Sequence, residues 1–220
     1  MDISPYIDHT LLKPTSLFED IERLCREAVM HRFAAVCVPP PFIDFARKCT
    51  ASTGVKVATV IGFPFGYSSS AAKLAEAESA IGSQADELDI VINLIRLKSG
   101  QWNQLEAEMQ LLTRLIHDHR KVVKVIIETG VLTEKEIIKC CQMYGNLGVD
   151  FLKTSTGYAE KGASVEAVSL MRKHLPTSVR IKASGGIRTY DFAIKLIEAG
   201  ADRLGSSASV AIAEEALAAK

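Results

Sequence analysis

The chain has 220 residues, of which 48% are hydrophobic and 24% charged, as in an ordinary soluble globular protein. Lys and Arg together number 26, as do Asp and Glu, so the net charge of zero argues against a nucleic-acid or membrane partner bound through charge alone. No apolar run approaches about 18 residues, and the N-terminus has no basic-then-apolar signal pattern, so we expect a cytoplasmic protein without a membrane partner.

Short runs rich in β-branched residues alternate with helical patterns along the whole chain. Strands are predicted at 6–12, 33–38, 55–61, 86–92, 122–128, 149–154, 179–183 and 202–206. Helices are predicted at 17–31, 42–52, 71–82, 102–119, 134–144, 164–174, 190–199 and 208–218. Two helix starts, Ser16 with Glu19 and Thr133 with Glu136, fit the Ser/Thr-x-x-Glu capping box.

This alternation predicts a parallel sheet covered by helices, because parallel strands need helical crossovers. No Pro/Gly/Ser-rich linker divides the chain, so we predict an α/β fold with one domain over 1–220, a (β/α)8 TIM barrel. A doubly wound open sheet is the alternative. Its usual nucleotide signature, G-x-G-x-x-G after the first strand, is missing, since that strand runs into DHTLLKP.

The cysteines and histidines give no metal or disulfide pattern. The five cysteines form no CxxC pair, and reduced thiols fit better than a disulfide framework. His117 and His119 stand two residues apart near a helix end, where their side chains diverge. His9 lies near a strand end, but a lone histidine does not make a zinc site, so we expect no metal.

Lysines appear at the ends of strands six and seven. Lys153 follows Phe151 and Leu152, and Lys182 stands in the segment RIKASGGIRT. In a barrel the carboxyl ends of the strands carry the chemistry, so the two ammonium groups would lie close together. Each would then disfavour the charge of the other, and burial would add to this effect. A lysine kept neutral in this way can attack a carbonyl and form a Schiff base.

Other interpretations of these lysines stay open. Either one can extend along the surface and keep its ammonium group in solvent. Lys124 lies four residues before Glu128, deeper in strand five, and a structural ion pair is its better interpretation.

The loops after strands seven and eight predict a phosphate site. Gly185 and Gly186 let backbone N–H groups approach an anion, and Ser206 and Ser207 precede the positive N-terminus of the last helix. Phosphate sites of TIM barrels often use these two loops. Taken alone, a Gly-Gly pair is usually a turn.

Five segments in this order and spacing resemble deoxyribose-phosphate aldolase from residue 6 to about 209: YIDHTLLKPT, ELDIVIN, KVIIETGVLT, FLKTSTGY and IKASGGIRT. The resemblance implies a metal-free class I aldolase without a cofactor, on a (β/α)8 barrel. It would reversibly cleave 2-deoxy-D-ribose 5-phosphate, its phosphosugar partner, into glyceraldehyde 3-phosphate and acetaldehyde. It also implies a homo-oligomer, as a dimer or tetramer.

The resemblance also assigns roles. Lys153 is the Schiff-base nucleophile, Lys182 the second lysine and Asp89 the carboxylate that transfers protons. The implied substrate-binding residues, at the sugar, near its hydroxyls and around the phosphate, are Asp8, Thr10, Cys37, Thr154, Gly157, Gly185, Gly186, Ser206 and Ser207.

The chain departs from the family pattern in two places. Tyr158 stands where some members have a lysine that helps to bind phosphate, and the chain ends EEALAAK where some members finish with a tyrosine.

Three rival functions remain at this point. A different phosphosugar aldolase would use another donor, such as pyruvate or dihydroxyacetone. A silent phosphosugar-binding protein would bind without turnover. A metal-free isomerase would use Glu128 as its base and would not need Lys153.

Overall fold

The strands close into a barrel in a computed structural model that describes residues 1–218. The last two residues of the predicted domain, 219 and 220, lie outside the described residues. The strands follow one another around the barrel in sequence order, and every neighbouring pair is parallel, β8 closing onto β1. The predicted (β/α)8 barrel is therefore confirmed, and the open sheet is excluded.

All eight predicted strands are present. Most are shorter than predicted, because residues at their predicted ends belong to loops. They are β1 (Ile7–Thr10), β2 (Ala35–Val38), β3 (Lys56–Ile61), β4 (Glu87–Val91), β5 (Val122–Ile126), β6 (Phe151–Lys153), β7 (Arg180–Ser184) and β8 (Arg203–Ser206).

The α-helices are α1 (Phe18–His31), α2 (Ile43–Cys49), α3 (Ser70–Gly82), α4 (Leu94–Lys98), α5 (Trp102–Asp118), α6 (Glu134–Asn146), α7 (Val165–His174), α8 (Tyr190–Glu198) and α9 (Ser209–Ala218). Short 3-10 turns lie at Ser4–Tyr6, Pro40–Phe42 and Thr129–Val131. Among residues 1–218, no helix is long and apolar enough to cross a membrane.

Two sequence predictions need correction. Helix α4 was not predicted, because its five residues are too few to show helical periodicity; the side chain of Asn93 caps its start. The predicted capping box at Ser16 is wrong, because Ser16 donates its hydroxyl to the carbonyl of Lys13. The carboxylate of Asp20 accepts the backbone N–H of Leu17 instead. The box of Thr133 and Glu136 is confirmed.

Alternate residues of each strand face opposite sides of the sheet. The outward set, which includes Val36, Leu88, Val125 and Leu152, joins the core between barrel and helices. The inward set contains a separate small cluster on β2 and β3, formed by Ala35, Cys37, Ala58 and Val60. Charged side chains fill much of the rest of the barrel interior, where bulky aliphatic residues are more usual.

Candidate active site

Lys153 is the last residue of β6, and Lys182 lies beside it in the middle of β7. The two strands pair in parallel with Lys153 directly opposite Lys182. Both lysines are almost fully buried, at 2% and 0% exposure. Extension to solvent, the alternative left open by the sequence, is therefore excluded for both side chains.

Asp89 on β4 joins the two lysines. The Nζ atoms of Lys153 and Lys182 each lie 2.8 Å from the same carboxylate oxygen, Oδ2 of Asp89. The two amines are thus at most the sum of these distances apart, 2.8 + 2.8 = 5.6 Å. The other oxygen, Oδ1, accepts from Lys124 at 2.8 Å.

Further charges lie within the barrel around this group. Lys124 also pairs with Glu87, and Lys182 with Asp8. Arg203 donates to Asp8 at 2.6 Å. We call the seven side chains the interior charge network, and its members are Asp8, Glu87, Asp89, Lys124, Lys153, Lys182 and Arg203. It holds four basic and three acidic groups, so it is electrically balanced when one basic group is neutral.

Lys153 is the basic group of the network whose pKa is lowered. Burial lowers the pKa of Lys153, the attraction of Asp89 opposes this shift, and the charge of Lys182 adds to it. Burial also acts against the charge of Lys182, but Asp8 and Asp89 outweigh it and raise the pKa of Lys182. Burial disfavours the ionised form of Asp89, yet the three lysines hold its pKa well below the ordinary value.

The expectation that mutual repulsion is the main reason for a neutral lysine is wrong. Burial is the first cause at Lys153, and the charge of Lys182 is a smaller contribution. The interpretation of Lys124 as a structural ion-pair partner is consistent with its contacts, because it is 0% exposed and reaches three carboxylates.

An open cleft of about 490 Å³ leads from Lys153 to the loops after β7 and β8. Thr10, Gly157, Gly185, Gly186, Ser206 and Ser207, all predicted from the sequence as substrate contacts, line it. Gly185 and Gly186 have φ of +89° and +77°, which glycine adopts without strain. The N-terminus of α9, which starts at Ser209, follows these serines.

The cleft also contains residues that the sequence analysis did not select. Lys13 and Arg188 are exposed and line the same cleft, which gives it two positive charges near the glycines. The arginine of SGGIRT was visible beside the Gly-Gly pair and could have been identified. Ser184, also in the lining, has a buried hydroxyl without a hydrogen-bond partner within residues 1–218.

Three predicted substrate contacts lie below the cleft surface. Asp8 is fully buried in the interior charge network. Thr154 exchanges hydrogen bonds with the backbone of Ser184, so its hydroxyl ties β6 to β7. Cys37 is buried in the small cluster on β2 and β3. The positions of Asp8 and Thr154 indicate structural support of the site, because neither side chain reaches the cleft.

Glu128, the base of the rival isomerase, is engaged in hydrogen bonds with Thr156. Its backbone has φ of +58°, an uncommon conformation for a residue with a side chain. Its buried carboxylate accepts from the backbone N–H and the hydroxyl of Thr156. Burial raises the pKa of Glu128, and these hydrogen bonds oppose the shift. Glu128 therefore holds the turn that carries Gly157 into the cleft.

Tyr158 is anchored, although it is half-exposed. Its hydroxyl donates to the carbonyl of Leu12 at 2.8 Å, and its ring meets Phe63 edge-on at 5.3 Å. The phenol therefore connects the loops after β1, β3 and β6 across the barrel mouth.

Gly205 lies at a position where any side chain would collide with Ser184 and Lys182. A Cβ atom on Gly205 would lie 2.4 Å from the Ser184 hydroxyl oxygen and 3.1 Å from Cε of Lys182. Within residues 1–218, no three His, Cys, Asp or Glu side chains are grouped in a way that could hold a metal ion.

Comparison with known proteins identifies the family of the chain. The model of the DeoC/LacD family aldolases matches residues 4–212. The chain belongs to this family. It is an aldolase, a carbon–carbon lyase.

Relatives of the chain carry a more specific name. A deoxyribose-phosphate aldolase of Thermococcus gammatolerans is 47% identical over 98% of this chain and 97% of its own length. A putative deoxyribose-phosphate aldolase structure from Coccidioides immitis is 40% identical, with a TM-score of 0.94 over 98% of this chain and 86% of its own. A tetrameric deoxyribose phosphate aldolase from Aeropyrum pernix is 32% identical, with a TM-score of 0.92 over 99% of this chain and 92% of its own.

Proposed function

We propose that this aldolase reversibly cleaves 2-deoxy-D-ribose 5-phosphate into D-glyceraldehyde 3-phosphate and acetaldehyde through a Schiff base on Lys153. The observation that carries the proposal is the position of Lys153. It is the one member of the interior charge network, as the structure describes it, that lines the open cleft. Its pKa is also lowered, which favours the neutral amine that carbonyl attack requires.

The first step is the attack of the neutral Lys153 amine on the C1 aldehyde of the open-chain sugar. Uptake of one proton from solvent and loss of water convert the adduct into the protonated imine. This imine carries the positive charge that Lys153 lacked, and Asp89 stabilises it because its Oδ2 lies 2.8 Å from Nζ. The three carboxylates of the network then face four positive groups.

The second step breaks the bond between C2 and C3. The C3 hydroxyl loses its proton, C3 becomes the aldehyde carbon of glyceraldehyde 3-phosphate, and the bond electrons move into the imine to form an enamine. Asp89 takes the proton through a water molecule, because its carboxylate is fully buried and does not line the cleft, and the Lys182 ammonium group donates to the same carboxylate. Protonation of C2 and hydrolysis then release acetaldehyde and the free amine.

The phosphate lies in this proposal at the far end of the cleft. Backbone N–H groups near Gly185 and Gly186, together with the N-terminus of α9, offer donors and positive potential. Lys13 and Arg188, which also line the cleft, add positive charge. Tyr158 supplies no charge where some family members have a lysine, and Arg188 compensates for that loss.

Borohydride trapping tests the mechanism directly. The protein is incubated with 2-deoxyribose 5-phosphate or acetaldehyde, reduced and examined by peptide mass spectrometry. We expect one reduced adduct, on Lys153, and none in Lys153→Met. Folded Lys153→Met that still cleaves the sugar phosphate would overturn the proposal. Activity with pyruvate or dihydroxyacetone as the donor, and not with acetaldehyde, would identify a different aldolase.

We also propose that the chain acts in the cytoplasm as a single-domain homo-oligomer. The tetrameric relative from Aeropyrum pernix supports self-association. Exposed apolar side chains support it further, because Leu17 and Phe18 at the start of α1 are 62% and 56% exposed. Light scattering after size-exclusion chromatography should give a mass well above the 23.9 kDa of one chain.

A further inference from the structure

The hydroxyl groups that line the cleft differ in their hydrogen bonding within the protein. Several of them already donate to acceptors inside the protein, and these belong to Thr10, Thr156, Tyr158 and Ser206. Thr15 and Ser207 are exposed, so water can satisfy their hydroxyls. Ser184 differs from all of these, because its hydroxyl is buried and has no hydrogen-bond partner within residues 1–218. Ser184 therefore holds an unused donor in the wall of the cleft.

A buried hydroxyl without a partner lowers the stability of the folded protein. The group has given up its hydrogen bonds to water on folding, and no bond inside the protein replaces them. Most buried polar groups of folded proteins do have a partner, so an exception needs a physical reason. Ser184 stands in the wall of the cleft that leads to Lys153, and a bond to a bound molecule would supply that reason.

The backbone of Ser184 is fixed, whereas its side chain can rotate. The Ser184 N–H donates to the Thr154 hydroxyl at 3.0 Å, and the Ser184 carbonyl accepts from the same hydroxyl at 3.2 Å. On the other side Ser184 pairs with Gly205 of β8, and its hydroxyl fills the space that a Gly205 side chain would need. Rotation about the single Cα–Cβ bond, between staggered rotamers, turns the hydroxyl from this space toward the cleft.

Ser184 lies between the reacting lysine and the glycines of the phosphate loop. Along β7, Lys182 stands opposite Lys153, and Ser184 is followed at once by Gly185 and Gly186. Lys182 and Ser184 face the same side of the sheet, because alternate residues of a strand do so. In the function proposed above, C1 of the sugar is bound to Lys153 and the phosphate on C5 reaches the glycines. The groups of the substrate between these ends are the C3 and C4 hydroxyls.

The two hydroxyls have different needs. The C3 hydroxyl loses its proton toward Asp89 during cleavage, whereas the C4 hydroxyl takes no part in bond breaking and needs only a binding partner. We propose that Ser184 is a specificity-determining residue, whose hydroxyl forms a hydrogen bond with the C4 hydroxyl of the sugar phosphate. The proposal rests on the aldolase function proposed above. In the direction of synthesis, Ser184 then favours an acceptor aldehyde that carries a hydroxyl on the carbon next to its carbonyl.

The test compares two phosphorylated acceptors, with acetaldehyde as the donor. D-Glyceraldehyde 3-phosphate supplies the C4 hydroxyl of the product, and 3-oxopropyl phosphate is the same molecule without that hydroxyl. In Ser184→Ala we expect kcat/KM for D-glyceraldehyde 3-phosphate to fall roughly two- to tenfold, as for the loss of one hydrogen bond between neutral groups. The kcat/KM for 3-oxopropyl phosphate should be unchanged or higher, because this acceptor leaves the Ser184 hydroxyl of the wild type without a partner.

Urea unfolding of the same variant separates binding from a structural role. Removal of a buried hydroxyl without a partner should leave the unfolding midpoint equal to that of the wild type or raise it, whereas loss of a structural hydrogen bond would lower it. Thr113→Val is the matched control. Thr113 on α5 also has a buried hydroxyl without a partner within residues 1–218, and it does not line the cleft. Thr113→Val should therefore keep the wild-type preference between the two acceptors.

The outcomes separate this proposal from the function on which it depends. Folded Ser184→Ala with the full wild-type preference for D-glyceraldehyde 3-phosphate would overturn the role of Ser184 alone. An equal loss of kcat/KM with both acceptors would also overturn it, because Ser184 would then act on a group that the two acceptors share. Absence of both sugar-phosphate cleavage and a trapped imine in the wild type would overturn the proposed function, and the role of Ser184 would be lost with it.

Discussion

Replacement of Lys182 by methionine should make Lys153 harder to deprotonate. The wild-type interior charge network is balanced when Lys153 is neutral, because three acidic groups then face three positive ones. In Lys182→Met the same balance is reached when Lys153 is protonated. The substitution keeps a similar volume, so the change is chiefly in charge.

The geometry gives the magnitude. The two Nζ atoms are at most 5.6 Å apart, as the sum of two contacts of 2.8 Å to Asp89. At an effective dielectric of about 20, two charges at this distance repel by about 3 kcal/mol, or roughly two pKa units. The pKa of Lys153 should therefore rise by about two units in Lys182→Met.

The pH dependence of imine formation measures this shift. The reacting species is the neutral amine, so activity is present above the pKa of Lys153 and is lost as the pH falls through it. We expect the acid limb of the borohydride-trapping rate with acetaldehyde to move upward by about two pH units in Lys182→Met. Trapping is preferable to turnover, because it does not depend on the later proton transfer to Asp89, the carboxylate to which Lys182 donates.

Lys124→Met is the matched control. It removes one charge from the same network, but Lys124 binds the other oxygen of Asp89, and its charge is not among the main influences on the pKa of Lys153. Its acid limb should move less than that of Lys182→Met. An unchanged acid limb in folded Lys182→Met would refute the argument from charge balance and leave burial as the sole cause of the lowered pKa.

Three further predictions concern residues around the network. Asp89→Asn leaves buried lysines without their shared carboxylate, so urea unfolding at pH 7 should show a loss of about 3–5 kcal/mol, and trapping at Lys153 should slow. Gly205→Ala places a methyl group against Lys182, which should lower the free energy of unfolding by about 1–3 kcal/mol and reduce kcat; equal stability to wild type would contradict the close contact. Glu128→Gln weakens the hydrogen bonds to Thr156 that hold the turn carrying Gly157. The KM for the sugar phosphate should therefore rise more than kcat falls. Because the pKa of Glu128 is raised on folding, its ionisation destabilises the wild type above the unfolded pKa. The stability of Glu128→Gln relative to wild type should therefore improve as the pH rises from 4 to 8, and the opposite trend would refute this assignment.

The local pattern of the sequence was sufficient for the architecture. β-Branched runs and helical periodicity depend on neighbouring residues, and they predicted every strand in its correct order. Lys153 and Lys182 were also visible as lysines at the ends of consecutive strands. Helix α4 was missed because so short a segment shows no periodicity.

The properties of the site were decided by the tertiary structure. Barrel closure brings Asp8 from β1 and Asp89 from β4 against Lys182 on β7, and no spacing in the sequence shows that contact. The dominant influence on the pKa of Lys153 is burial, which exists only after all eight strands have closed. Residues near in sequence thus determined which elements form, whereas charge balance, burial and cavity shape arose from residues far apart in sequence, because those quantities depend on distance in space.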